Sequence, residues 1–264
     1  MKKAISCFMT CFLLVFCFSS CGATSNHMTT GYLQTAEKDN SLYIKSRFSN
    51  IYKIDLQNRS FSLVENSKEA DFEWKIGNEF KYEFFAGEYK TTVPAGYESI
   101  IKHIEDCKLD SEKSVVDACG YLDNKILKGF VQVYKDTDGV YGHYAIEKIS
   151  HSLVFWYDSE SDEFSVARKF DNVVIVAVQN DTVIYWKDKA YYSYDMKIQA
   201  ETYLVEDKAY DSGLNQLSTP AVFANEEMCV LHLVKGKATE NIEYMYVFDF
   251  LSEEFFELTY LKQT

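Results

Sequence analysis

Apolar runs of strand length alternate with short polar segments along most of the chain, and one such pattern recurs. In three copies, an aromatic residue stands six positions after an aspartate: 51–55 (IYKID) with Phe61, 154–158 (VFWYD) with Phe164, and 245–249 (MYVFD) with Phe255. A fourth, looser copy at 191–195 (YYSYD) leads into residues 202–204. The pattern is typical of an antiparallel hairpin. We interpret the aspartate as a structural residue that accepts hydrogen bonds from turn amides, not as a catalytic one.

The apolar runs also fall into groups of four short predicted strands. This arrangement is typical of the four-stranded blades of a β-propeller. The groups are 126–134, 143–149, 153–158 and 164–168; 173–178, 182–186, 191–194 and 201–205; and 220–224, 228–234, 242–249 and 255–261. We predict a mainly β domain of antiparallel four-stranded repeats over residues 41–264, arranged as a small or irregular β-propeller of about five blades. An antiparallel sandwich or meander built of similar hairpins is the alternative.

The segment 66–124 separates the first hairpin from these groups. Residues 71–77 (DFEWKIG) and 79–89 (EFKYEFFAGEY) predict further strands, which we expect to form another blade. A short helical insertion is predicted near 97–122 from the spacing of its apolar residues, which are Ile100, Ile101, Ile104, Val115, Val116 and Leu122.

Composition and charge narrow the choice of partners. Aromatic residues form 16% of the 264-residue chain, with 20 Tyr and 19 Phe, which favours pleated, half-buried surfaces. The formal net charge is −13. Nucleic acid and a polybasic membrane patch both require clustered Lys and Arg, so this charge argues against either. Membrane attachment would need another cause.

The first two dozen residues supply such a cause. Lys2 and Lys3 precede an uncharged, mostly apolar run over 4–18. As a helix this run would reach about 22 Å, which is short of the ~30 Å hydrocarbon core of a bilayer. We therefore interpret residues 1–20 as a secretion signal and residues 21–40, which are polar, as a disordered tether.

Small residues stand directly before a cysteine at the end of the apolar run, in Phe18-Ser19-Ser20-Cys21-Gly22. This resembles the lipobox of bacterial lipoproteins, although Phe18 occupies a position that is more usually aliphatic. The resemblance implies that Cys21 becomes the mature N-terminus and carries the lipid, so that the protein is anchored to a membrane of the bacterial cell envelope on its extracytoplasmic side. A plain signal peptide cleaved near Ala23 is the alternative. The likeness to β-propeller lipoproteins over 40–65 and 125–261 is architectural, since the motifs of the known propeller families are missing.

Three cysteines lie beyond the N-terminal segment: Cys107, Cys119 and Cys229. Cys107 and Cys119 are candidates for a disulfide if two short helices bring them together, and otherwise they are small buried residues. Cys229 lies in an apolar strand and is interpreted as a core residue. No spacing of Cys and His suggests zinc.

Catalytic signals are weak throughout the chain. The five histidines, His27, His103, His143, His151 and His232, have no recognised catalytic spacing. The alternating acids Asp158, Glu160 and Asp162 lack the glycine and the distal glutamate of a calcium loop, and Asp138-Gly139 is better explained as a hairpin turn. We therefore expect no catalytic residues, no metal and no cofactor.

The sequence supports two hypotheses about function. The first is a non-enzymatic, lipid-anchored extracytoplasmic binding or scaffold protein that recognises a protein partner or a glycan. The second is a glycan-acting hydrolase or lyase that uses a carboxylate pair in the propeller cleft.

Overall fold

The structure is a computed structural model that describes part of the chain. The described residues are 31–32, 34–39, 41–45, 50–64, 68, 71–76, 80–85, 88–135, 149–208, 221–225, 227–237 and 240–261. The predicted signal peptide and Cys21 lie outside them, as do His27, His143 and the Asp138-Gly139 turn. Within the described residues the chain forms twenty strands and one short helix, so the prediction of a mainly β fold is confirmed.

Sixteen of the strands form four antiparallel meanders of four strands each. The first meander comprises β2 (Gln34–Lys38), β3 (Ser41–Lys45), β4 (Ile51–Asp55) and β5 (Ser60–Leu63), and the second comprises β9 (Val115–Asp123), β10 (Ile126–Tyr134), β11 (Ile149–Asp158) and β12 (Glu163–Asp171). The third comprises β13 (Val174–Gln179), β14 (Thr182–Lys187), β15 (Ala190–Asp195) and β16 (Ala200–Glu206), and the fourth comprises β17 (Ala221–Ala224), β18 (Met228–Lys237), β19 (Glu240–Asp249) and β20 (Phe255–Tyr260). The prediction of antiparallel sheets is therefore confirmed.

The remaining strands extend these meanders into larger sheets. The first and fourth meanders join because β20 pairs in parallel with β5, with Thr259 opposite Ser60. Their shared sheet gains β1 (Gly31–Tyr32) next to β17 and β6 (Lys75–Ile76) next to β2. The second meander gains β7 (Phe80–Phe85) and β8 (Glu88–Thr92) on the side of β9, and the third forms a sheet of its own.

Two expectations about the first half of the chain are corrected. The tether expected over 21–40 does not extend that far, since β2 is a strand of the first meander in which Thr35 and Ala36 are buried. The helix near 97–122 is confined to α1 (Ile100–Glu105), and residues 115–123 are a strand. The first six residues of that strand are buried, so its apolar positions do not alternate and resemble helical spacing.

Two further expectations about repeats are corrected. The segments 71–77 and 79–89 do not form a separate blade, because β6 pairs with the first meander and β7 with the second. The runs expected as 143–149 and 153–158 meet in one strand, since Ile149 through Asp158 is continuous. Residues 143–148 lie outside the described part of the chain.

Apolar side chains between neighbouring meanders form the core. Ile54 and Phe61 of the first meander pack with Val247 of the fourth. Leu231 and Phe248 of the fourth share a cluster with side chains of the third and with the ends of second-meander strands. A further cluster joins the second and third meanders, while α1 covers the opposite face of the second. The meanders therefore follow one another in the order first, fourth, third, second, and no core cluster of the described residues joins the second to the first.

The recurring aspartate closes the last hairpin of every meander, as predicted. Asp55, Asp158, Asp195 and Asp249 each accept a hydrogen bond from a backbone N–H of the following turn, at 2.7 to 2.9 Å. In each turn the residue four positions after the aspartate has a positive φ: Arg59, Asp162, Gln199 and Glu253. The hydrogen bonds lower the pKa of Asp55, Asp158 and Asp249, because they favour the ionised carboxylate.

We predict that Asp249→Ala lowers the free energy of unfolding by about 1 kcal/mol, because the amides of Leu251 and Ser252 lose their acceptor. For a domain of this size the loss corresponds to a fall in Tm of about 2 to 4 °C in a thermal unfolding experiment. Asp249→Asn keeps an acceptor oxygen and is the matched control. Equal destabilisation by the two substitutions would contradict the turn assignment.

Candidate functional site

A row of buried polar side chains crosses the second meander on the face that packs against the third. Asp117, Gln132 and Ser152 lie directly opposite one another on adjacent strands. Gln132 Nε2 donates to the carbonyl of Ile175 at 2.6 Å, and Ser152 Oγ donates to the carbonyl of Val173 at 2.8 Å. The row therefore connects the second meander to the start of the third.

Asp117 is the titratable member of this row. The amide of Phe84 donates to its Oδ1 at 2.7 Å, and the hydroxyl of Tyr134 is within hydrogen-bonding reach. That hydroxyl donates its one proton to Gln132 Oε1 at 2.9 Å.

The surroundings of Asp117 raise its pKa to about 7, mainly because burial penalises the charged form. The neighbouring charge of Glu83 raises it further, whereas the Phe84 amide acts in the opposite direction. Glu83 forms an ion pair with Lys81 at 2.6 Å. Asp117 and Glu83 are only 5% and 7% exposed, so both of these acidic residues are enclosed by protein.

A cleft of about 320 Å³ lies between the third and fourth meanders at their aspartate-turn ends. We call it the inter-meander cleft. Strands β14, β15, β16, β19 and β20 contribute to it, together with both aspartate turns. Its lining combines hydroxyl, carboxylate and apolar side chains, which include Thr182, Ser193, Thr202, Tyr203, Asp195, Glu253, Ile198, Leu204, Phe248 and Phe255. A mixed lining of this kind suits a small polar ligand with an apolar portion.

The lining includes one serine residue that is largely buried. Ser193 is 9% exposed, and no hydrogen bond joins its hydroxyl to another described residue. Asp195 uses its Oδ1 to accept from the backbone N–H groups of Lys197 and Ile198. The ammonium group of Lys197 forms an ion pair with Asp181 at 2.7 Å.

The cysteines considered for a disulfide remain separate thiols. Cys107 and Cys119 contact core clusters on opposite faces of the second meander's sheet, so their side chains cannot meet. Burial raises the pKa of the Cys107 thiol to about 11, and it also raises the pKa of Cys229, which is buried in the core as predicted. These surroundings do not favour a reactive thiolate.

The described histidines occupy three different environments. His103 lies on α1, with its Nε2 3.0 Å from Asp162. His232 is buried, with its Nε2 2.9 Å from Glu243 and its Nδ1 without a partner among the described residues. Partial burial lowers the pKa of His151. These histidines lie in separate places. The carboxylate of Glu243, which contacts His232, also contacts Tyr52.

The alternating acids Asp158, Glu160 and Asp162 belong to an aspartate turn. Asp158 accepts from the amide of Glu160, and Asp162 bonds to His103 and to the hydroxyl of Tyr157. Among the described residues, no three His, Cys, Asp or Glu side chains are grouped as metal ligands. The described helix is too short to cross a membrane.

Sequence reasoning missed both the buried row and the inter-meander cleft. A signal for Asp117 was present, since an acid stands among apolar residues in VVDAC over 115–119. No comparable signal marked the cleft, because its lining comes from segments that are distant in sequence.

We predict that Asp117→Asn makes the protein more stable than wild type as the pH rises. The pKa of Asp117 is raised from about 3.8 in the unfolded chain to about 7 in the fold, so only the folded state holds this proton between those values. Wild-type stability therefore falls across this window, while the asparagine variant escapes the loss. The difference between their unfolding free energies should grow by roughly 2 to 3 kcal/mol from pH 5 to pH 8. A difference that stays constant with pH in urea titrations would contradict the assignment.

No protein-family model matches the chain, and no curated protein is detectably similar to it in sequence. Among solved structures, the tricorn protease is similar at 11% identity with a TM-score of 0.28, over 84% of this chain and 25% of that one. The oligogalacturonate lyase of Vibrio parahaemolyticus is similar at 11% identity with a TM-score of 0.23, over 88% of this chain and 80% of that one. The chain thus spans about a quarter of the tricorn protease. TM-scores this low carry no argument about fold or function.

Proposed function

We propose that this protein is a non-enzymatic, lipid-anchored binding or scaffold protein on the extracytoplasmic side of a bacterial membrane, where it recognises a protein partner or a glycan. The inter-meander cleft is the observation that carries the binding part of the proposal. It combines hydroxyl, carboxylate and apolar groups at one end of two rigid sheets. Clefts of this composition orient a ligand through a few polar groups and gain affinity from apolar contact.

The anchor part of the proposal depends on Cys21 and the segment before it. A short positive region, an uncharged run and small residues before Cys21 follow the order found in lipoprotein signals. Two or three acyl chains on one residue hold a protein stably at a membrane, because each buried methylene contributes about 0.8 kcal/mol. Residues between Cys21 and β2 would then separate the lipid from the folded domain.

The four meanders form, in this proposal, an open and irregular β-propeller. In the third meander the first strand is the most buried, and in the second and third meanders the last strand is the most exposed, as expected for inner and outer blade strands. The ring would stay open where α1 covers the free face of the second meander. In a regular propeller the outer strands of neighbouring blades do not pair with each other. Here β5 and β20, the last strands of the first and fourth meanders, pair directly.

The alternative is a glycan-acting hydrolase or lyase, and the observation that favours it is the raised pKa of Asp117 beside Glu83. Glycosidase chemistry requires two carboxylates that reach opposite sides of a sugar bond. Asp117 and Glu83 are enclosed, and Asp117 accepts a hydrogen bond from the backbone amide of Phe84. This enclosure favours a structural role for the two acids over a catalytic one. It therefore supports the binding function over the hydrolase or lyase.

We predict that Cys21→Ala abolishes both labelling by a radioactive or clickable fatty acid and retention in the membrane fraction of the expressing bacterium. The thiol is the attachment point that the lipobox resemblance implies, so no other residue should replace it. Cys17→Ala, which changes a cysteine inside the predicted signal, is the matched control and should keep both. Lipid labelling that survives Cys21→Ala would contradict the anchor.

Turnover experiments separate binding from catalysis. The purified full chain should release no products from a panel of neutral, acidic and amine-bearing polysaccharides, as measured by reducing-end and unsaturated-product assays. Glu83→Gln and Asp117→Asn should leave that result unchanged. Turnover of one polysaccharide that is lost in Asp117→Asn would replace the binding proposal with the hydrolase or lyase.

A further inference from the structure

We infer that the inter-meander cleft binds the protonated amine of its ligand, so that the recognised group is an alkylammonium. This deepens the proposed binding function and depends on it. The ligand is then defined by one chemical group that occurs both on lysine side chains and on amino sugars. The inference is carried by the charge, the hydrogen-bonding groups and the size of the cleft.

The charged side chains of the lining are both acids. Asp195 and Glu253 belong to the aspartate turns of the third and fourth meanders, and the described lining includes no Lys, Arg or His. Lys197, the neighbouring cation, forms an ion pair with Asp181 at 2.7 Å, is 72% exposed and also interacts electrostatically with Asp195 and Glu253. A cation in the cleft therefore meets negative charge from two sides, whereas an anion such as a phosphate or uronate would be repelled.

The hydrogen-bonding groups suit an ammonium ion as well. An ammonium group has three N–H donors and no acceptor, so its partners must all be able to accept. The carboxylates of Asp195 and Glu253 supply two acceptors, and the hydroxyl of Ser193 supplies a third. Ser193 is the strongest indication of a ligand, because the residue is only 9% exposed, it lines the cleft, and no described residue forms a hydrogen bond with its hydroxyl.

The rest of the lining sets the size and polarity of the ligand. Apolar surface comes from Phe248, Phe255 and Leu204. Ile198 also lines the cleft, although 73% of its surface is exposed. A volume of about 320 Å³ lies at the lower end for small-molecule sites. One lysine side chain or one amino-sugar ring fits such a space, and its carbon atoms would contact the apolar wall.

Calorimetric titration of the full chain, in a non-ionic detergent without a sugar headgroup, tests the inference. The cationic probes are 1,5-diaminopentane, glucosamine and the amide of Nα-acetyl-lysine. The neutral counterparts are 1,5-pentanediol and N-acetylglucosamine. We expect at least one cationic probe to bind with a Kd of about 1 mM or tighter, and its neutral counterpart to bind at least tenfold more weakly.

The paired variant Asp195→Asn with Glu253→Gln removes the two charges, while the new asparagine side chain still offers an oxygen to the turn amides. Its Kd for the cationic probe should rise at least tenfold. The matched control removes two acids from the corresponding turn of the second meander, by Asp158→Asn with Asp162→Asn, and should change Kd less than twofold. Ser193→Ala should weaken binding by a smaller factor, and thermal unfolding of each variant checks that the fold is retained.

The outcomes are distinct. Preference for the lysine amide supports the inference with a protein partner as the source of the amine, and preference for glucosamine supports it with a glycan. Equal binding of charged and neutral probes, or a Kd that the paired variant leaves unchanged, overturns the inference while the binding function stands. Absence of binding by every cationic probe also overturns it. The lipid anchor is tested independently through Cys21, so its failure is not confused with any of these results.

Discussion

Burial of sheet faces between successive meanders is the interaction on which the rest of the structure depends. The meanders are apolar on surfaces that water would otherwise reach, and an isolated sheet of four strands has no second layer to cover them. Each meander therefore contributes to a core shared with a neighbour, as Ile54 does with Val247 and as Phe130 does with Ile175. The order of the meanders and the position of the inter-meander cleft both follow from this shared burial.

Local chemistry explains why the sequence predicted the turns correctly. The aspartate and the amides it accepts from lie within three residues of one another, as with Asp249 and Ser252. Such a hydrogen bond depends little on the rest of the fold, so it recurs in all four meanders, with an amide two or three positions after the aspartate. Most strand positions inside the repeats followed from the same short-range pattern, including β13, which is buried throughout. Residues 115–123 are an exception, because Asp117 and Gly120 interrupt their apolar positions and the periodicity that separates strand from helix is lost.

Long-range arrangements could not be predicted in this way. The parallel pairing of β5 with β20 joins residues almost 200 positions apart, and neither strand carries a pattern that specifies its partner. The inter-meander cleft has the same origin, because Ser193 and Phe255 meet only after two sheets have packed. The separation of Cys107 from Cys119 likewise depends on which face of a sheet each side chain occupies, which sequence spacing alone did not determine.

The buried polar row supplies hydrogen-bond donors to a sheet edge that lies inside the protein. β13 is an edge strand of the third sheet, so its outward carbonyls have no strand to pair with. Gln132 and Ser152 donate to the carbonyls of Ile175 and Val173, and a carbonyl buried without a donor would destabilise the interface. Tyr134 donates to the oxygen of Gln132 and so fixes its amide in the orientation that serves Ile175. Asp117 lies in the same buried row, and burial is the main reason that its pKa is raised. The perturbation that suggests a catalytic acid is therefore explained by its place in the core.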